Sequence, residues 1–129
     1  MPIAKIVPAN VSPEAAALLK RAYAIDSDAA SRALYRDWAE TYDATMLGGL
    51  RYLSPATVAR LLDAHLADRV APVLDVGCGT GLAGQSLFER GFTTIDGLDL
   101  SPEMMQVAGR RGIYRAFIAA DLHQALPIA

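Results

Sequence analysis

At 129 residues the chain is long enough for one domain with a real core, and short for a complete nucleotide-binding α/β enzyme. Hydrophobic residues make up 53% and charged residues 20%, a globular balance that excludes a disordered chain. The net charge of −2, with acids and bases interspersed, provides no electrostatic footprint for nucleic acid or an anionic membrane.

The single cysteine, Cys78, excludes an internal disulfide, and no cluster of residues has metal-ligand spacing. No long apolar run suggests a membrane span, and the N-terminus lacks a basic region followed by an apolar stretch. The expected compartment is the cytoplasm.

Residues 1–70 read as helices, and are expected to form a helical cap region. Ser12-Pro13-Glu14 is a helix start, followed by Ala15, Leu18, Leu19 and Ala22 at helical spacing. A second helix is predicted from Asp28 to Met46, with Leu34, Trp38 and Tyr42 on one face and Gly48-Gly49 as its break. Ser54-Pro55 opens a third, over 56–67, with Val58, Leu61, Leu62 and Leu66 as its apolar stripe. His65 lies on this helix as a surface residue.

From residue 71 the pattern changes. Val73-Leu74-Asp75-Val76 reads as a short buried strand, running into Gly77-Cys78-Gly79-Thr80-Gly81, with a helix beginning near Leu82. Glycine permits positive φ and lets a ligand approach without meeting a Cβ. The following helix presents unpaired N–H groups and its positive dipole end to the same place. Together these features make a nucleotide-binding corner at the carboxyl end of a parallel sheet. A second strand, 93–100, ends at Asp99, near the offset at which an acid reaches ribose hydroxyls. Ser101-Pro102-Glu103 then starts a helix, with serine as cap and proline at the first position. A third strand, 114–120, leads to Asp121-Leu122, where an N-cap carboxylate is the plainer reading of Asp121.

The run from Val73 to Gly81 resembles motif I of the class I S-adenosylmethionine-dependent methyltransferases. Leu98-Asp99-Leu100-Ser101-Pro102-Glu103-Met104-Met105 is similar to the family's second motif. The resemblance implies an α/β, Rossmann-like methyltransferase fold, represented by strands 1–3 of its parallel sheet with flanking helices over 71–129. It implies S-adenosyl-L-methionine as cofactor, bound around Asp75, Gly77, Cys78, Gly79, Thr80 and Gly81. Asp99 takes the ribose, Leu100 and Met104 lie near the adenine, and Asp121 and Leu122 address the adenine amino group and ring nitrogen. Asp75 is read as an acceptor that orients the loop, and Cys78 as a residue required to be small.

The stretch from Tyr35 to Asp43 is similar to a family helix that covers the cofactor. By that resemblance Tyr35 or Tyr42 hydrogen-bonds the methionine carboxylate, with Arg51 nearby as a cation. Aromatics four residues apart are otherwise core packing, the preferred reading for Trp38. His123 is isolated but follows Asp121.

The expected function is methyl transfer from S-adenosylmethionine to a small-molecule acceptor, with no nucleic acid or membrane partner. The chain reads as the cofactor-binding part of such an enzyme, and no residue stands out as a general base. Two other readings remain: a non-catalytic S-adenosylmethionine-binding module, and an NAD(P)-dependent oxidoreductase. Leu82, where a dinucleotide fingerprint has its third glycine, speaks against the second. The far edge of the first strand is expected to lack a partner, which favours self-association.

Overall fold

The computed structural model describes residues 12–49 and 53–128. Met1–Tyr52 forms one compact unit and Leu53–Ala129 a second.

In the first unit, helix α1 spans Pro13–Tyr23 and α2 spans Asp28–Trp38. Each begins on a serine whose hydroxyl accepts an otherwise orphaned amide: Ala15 N to Ser12 Oγ and Ala30 N to Ser27 Oγ, both at 3.1 Å. The helices bury Leu19, Leu34 and Trp38 between them, with Leu18, Ala22, Tyr35, Tyr42 and Met46 packed around that core. Trp38 is 2% exposed, stacked on Tyr35 and edge-on to Tyr42. It is a core residue, as its spacing suggested.

α2 ends earlier than its periodicity predicts. The amide of Thr41 bonds Trp38 O at 3.1 Å, which closes a tighter turn. The chain then resumes as a π-helical segment, Ala44–Gly49, that contains the glycine pair expected to break it. Both N and Oγ1 of Thr45 bond Thr41 O, at 3.0 and 3.1 Å, the amide making the regular i−4 bond and the hydroxyl a second one to the same carbonyl. A hydroxyl back-bonded to an i−4 carbonyl in this way bends a helix. Arg51 lies outside the described residues.

The second unit contains α3 (Ser54–His65), β1 (Val73–Val76), α4 (Leu82–Glu89), β2 (Ile95–Asp99), α5 (Pro102–Gly109) and β3 (Tyr114–Ala119). The three strands are parallel, in the order β1-β2-β3, with Val73 opposite Ile95 and Asp99 opposite Ala119. Parallel strands need crossovers, and α4 and α5 supply them.

The expected cap region ran to residue 70, but α3 belongs with the sheet. Its Ala59 packs with Leu87, Phe92 and Ile95, and Leu62 and Leu66 close over them. The buried face therefore follows Pro55, Ala59, Leu62 and Leu66, while Val58 and Leu61 of the predicted stripe are each half exposed. Two small residues, rather than large aliphatics, let α3 approach. His65 is exposed, with its ring nitrogen against Leu61 O.

β2 is the central strand and holds Ile95 and Leu98 fully buried. A Cβ on Gly97 would stand 2.9 Å from the Phe117 ring and 3.0 Å from Cys78 Sγ, so only glycine fits between those side chains. β1 is only half buried, and among the described residues it pairs with β2 alone. No helix among the described residues is long and apolar enough to cross a membrane.

Candidate cofactor site

The carboxyl ends of β1 and β2 meet at the glycine loop. Gly77, Gly79 and Gly81 all take positive φ, at 69°, 53° and 90°. A side chain at these angles carries strain of roughly 1–3 kcal/mol. Gly81 is the N-cap of α4 in a left-handed conformation, and its carbonyl accepts from Gln85 N at 2.9 Å. Above Gly77 and Gly79 there is open space, since an added Cβ would meet nothing within 4 Å at either position. The loop therefore offers two bare Cα faces that a flat or extended ligand can approach closely.

Its amides are otherwise engaged. Those of Gly77 and Cys78 both donate to Leu98 O, at 2.7 and 3.0 Å, and Gly81 N donates to Cys78 O at 2.9 Å. Gly79 N donates to Asp99 Oδ2 at 2.8 Å. Gly84 N, in the first turn of α4, donates to Asp75. The expected set of free amide donors is thus largely used to fix the loop. A pyrophosphate wants those donors. A ligand whose adjoining part is a cation and two hydroxyls does not.

Asp99 stands at the end of β2, half buried. Its Oδ1 accepts from Ser101 N at 2.9 Å while Oδ2 holds Gly79. A carboxylate has about four lone-pair sites, so it keeps capacity for two vicinal hydroxyls. Ser101 also caps α5 by accepting from Met104 N at 3.2 Å.

Asp75 points to a different set of partners. Its Oδ2 accepts from the Tyr114 hydroxyl at 2.7 Å. Burial lifts its carboxyl above the usual range, hydrogen bonds from Tyr114 and Gly84 oppose that rise, and the charge of Asp99 adds to it. Burial, and then the Asp75 partner, raise the Tyr114 hydroxyl in turn. Burial first, then the charges of Asp99 and Asp75, push the Cys78 thiol up to about 12.

These environments separate the predicted site residues. The open faces of Gly77 and Gly79, together with Asp99, form one corner, and half-buried Leu100 follows it directly. Ala120 N bonds Asp99 O at 3.0 Å, which brings Asp121 to the same edge of the sheet. Asp121 Oδ1 accepts from His123 N at 2.8 Å and lies 3.2 Å from His123 Nδ1, and Leu122 is exposed. Thr80 is buried, and the Cys78 side chain packs against Gly97 rather than facing the corner. Met104 is 2% exposed, a core residue with almost no surface left for adenine. Its apolar spacing on α5 suits the interior as well as it suits a ligand. Tyr35 and Tyr42 lie in the first unit, packed around Trp38.

Tyr114 and Arg111 escaped the sequence reading. Gly84 was the available signal, because a glycine inside a helix costs about 1 kcal/mol relative to alanine and often marks a close approach. Here the approaching group is the Tyr114 ring.

The raised Asp75 predicts a pH effect. A folded value above the unfolded 3.8 contributes stability below that value and loses it as pH rises through the folded one. Asp75→Asn keeps an oxygen for Tyr114 without the charge. The variant is expected to match or exceed the wild-type melting temperature at neutral pH, and to lose that advantage toward acid. Asp37, Asp63 and Asp96, held low chiefly by arginine hydrogen bonds, give the opposite trend in both proteins and cancel in the comparison. Paired thermal melts across pH check the sign.

The corner and the strand order define a Rossmann-like nucleotide-binding fold of the methyltransferase kind. Residues 73–129 match the family described as methyltransferase domain. The chain is similar to human methyltransferase-like protein 27, at 33% identity over 87% of this chain and 46% of that protein. Shorter matches include an 18S rRNA (guanine-N(7))-methyltransferase of Bos taurus, 40% identical over 46% of this chain and 21% of the relative. Another is a dTDP-3-amino-3,6-dideoxy-alpha-D-glucopyranose N,N-dimethyltransferase of Streptomyces fradiae, 40% identical over 57% of this chain and 29% of that one. Among solved structures the DhpI-SAM-HEP complex is similar, with TM-score 0.60 and 28% identity over 81% of this chain and 49% of that chain. The chain spans about half the length of these first matches, or less.

Proposed function

We propose that the chain binds S-adenosylmethionine at the glycine corner and serves as the cofactor-holding part of a methyltransferase acting on a small molecule. The observation that carries this reading is the pair of open glycine faces beside Asp99, in a loop whose own amides are already engaged. That arrangement suits an adenosyl sulfonium and leaves a pyrophosphate fewer loop donors. When bound, the cofactor supplies an electrophilic methyl group. The chain's residues supply placement: Asp99 accepts from the ribose, Gly77 and Gly79 allow close contact, and Asp121 with Leu122 closes the adenine end. Alignment of this kind lowers the barrier without covalent chemistry by the protein.

Titration calorimetry with S-adenosylhomocysteine and with NADH tests the reading. Micromolar binding of the first and none of the second is expected, and the reverse would overturn it. Binding without turnover of any acceptor would favour a pure binding module.

A small-molecule acceptor fits the net charge of −2 and the aminosugar methyltransferase relative. The bovine relative gives RNA as the competing acceptor. Methyl-transfer assays on aminosugar nucleotides and on ribosomal RNA, with the chain in the longest form that expresses, distinguish them. The reading takes the chain as cytoplasmic.

The side of β1 that pairs with no strand among the described residues is proposed to mediate self-association, because free strand edges recruit other strands. Sedimentation velocity should show mass rising with concentration. A constant monomer would count against it.

A further inference from the structure

A loop with three positive-φ glycines has many alternatives to the shape that receives a ligand. Glycine gains the most backbone freedom on release, and apparent affinity falls by the fraction of chains holding the competent shape. Something outside the loop must therefore hold it. The β1–β2 ladder fixes its start, through Gly77 and Cys78 on Leu98 O. Its exit, from Thr80 into α4, has no such ladder.

Two side chains reach that exit, Arg111 from the turn between α5 and β3 and Tyr114 from the first position of β3. Arg111 Nε donates to Thr80 O at 2.7 Å. Its Cδ and Nε flank Gly81, each 3.1 Å from where a Cβ would be, and Tyr114 Cε2 lies 3.0 Å from the same point. The Tyr114 ring continues over Gly84, whose absent Cβ would stand 2.2 Å from the hydroxyl. That hydroxyl then reaches Asp75 at 2.7 Å, and Asp75 also accepts from Gly84 N. One carboxylate thus ties the end of β1 to the first turn of α4 and the start of β3.

We propose that Arg111 and Tyr114 are positioning residues: a clasp that holds the exit of the glycine loop in the shape that receives the cofactor. Neither needs to touch the ligand. The clasp links Thr80 of the loop and Asp75 of β1 to residues 31 and 39 positions away in the chain. It rests on the proposed cofactor only for its purpose, since its geometry stands without a ligand. Plain core packing is the rival account, and Tyr114→Phe separates the two. The substitution keeps the ring against Gly81 and Gly84 and removes only the bond to Asp75. Arg111→Lys likewise keeps charge and stem but cannot place a guanidinium Nε on Thr80 O.

The test uses the chain with each substitution and two readouts. Calorimetry with S-adenosylhomocysteine should show a dissociation constant raised several-fold by either variant, up to the roughly tenfold limit set by one hydrogen bond of ~1.4 kcal/mol. Amide exchange on the unliganded chain should show faster exchange over residues 77–84, with β2 and β3 unchanged. Affinities within twofold of wild type for both variants would overturn the clasp. So would unchanged loop protection, which would mean that any lost affinity came from direct ligand contacts. If the wild-type chain fails to bind S-adenosylhomocysteine, the proposed function fails, while the exchange readout still decides the clasp.

Discussion

Asp99→Ala is expected to weaken S-adenosylhomocysteine binding by about 100-fold, the largest effect of any single side-chain removal at the corner. Asp99 does two jobs at once. It fixes Gly79 N and Ser101 N, at 2.8 and 2.9 Å, and its remaining lone pairs face the ribose in the proposed complex. Two charge-assisted hydrogen bonds to the ribose at ~1.5 kcal/mol each account for the loss. Asp99→Asn is the control. Its single carbonyl oxygen can hold one amide but offers less to the hydroxyls, so it should recover melting temperature more than affinity. Calorimetry and thermal melts on the two variants check this, and equal affinity across all three proteins would remove Asp99 from the site.

Gly84→Ala should destabilise the chain by roughly 2 kcal/mol, against the direction that helix propensity suggests. Alanine in a helix interior gains about 1 kcal/mol over glycine. Here the new methyl would stand 2.2 Å from Tyr114 Oη and 2.6 Å from its Cζ. The ring must leave, which costs an overpacking term of roughly 1–3 kcal/mol and the bond to Asp75, about 1.5 kcal/mol more. The sign reverses in a Tyr114→Ala background, where the ring that meets the methyl is gone and the propensity gain remains. A double-mutant cycle by urea unfolding measures the coupling. Additive effects would mean that the ring and Gly84 do not meet.

These two variants mark the boundary of what the sequence disclosed. Val73 to Gly81 and Asp99 were legible because strand, glycine turn and helix start are neighbours in the chain. Their contacts follow from local rules. Ser101 as cap and Pro102 at the first helical position followed in the same way. Tyr114 and Arg111 were not legible, because their partners lie 39 and 31 residues away and a tyrosine at a strand start reads as core. Met104 carries a related ambiguity: apolar spacing on α5 does not say whether protein or ligand covers the side chain. For α3 the large residues Val58 and Leu61 drew attention from Ala59, although close approach to α4 favours the smaller one. The early end of α2 lies at the tighter turn closed by Thr41 N on Trp38 O, a choice between two backbone geometries that periodicity does not encode.

The buried thiol of Cys78 gives the molecule a built-in reporter. It is the only cysteine in the chain, it sits in the loop itself, and its proton is held up to about 12. Thiol reagents attack the thiolate, so a closed loop is shielded both by burial and by protonation. Alkylation therefore counts the moments at which this corner comes apart, with no label added and no other sulfhydryl to confuse the count. Ligands that brace the corner slow that clock, and substitutions that loosen it speed the clock, whatever the rest of the molecule is doing.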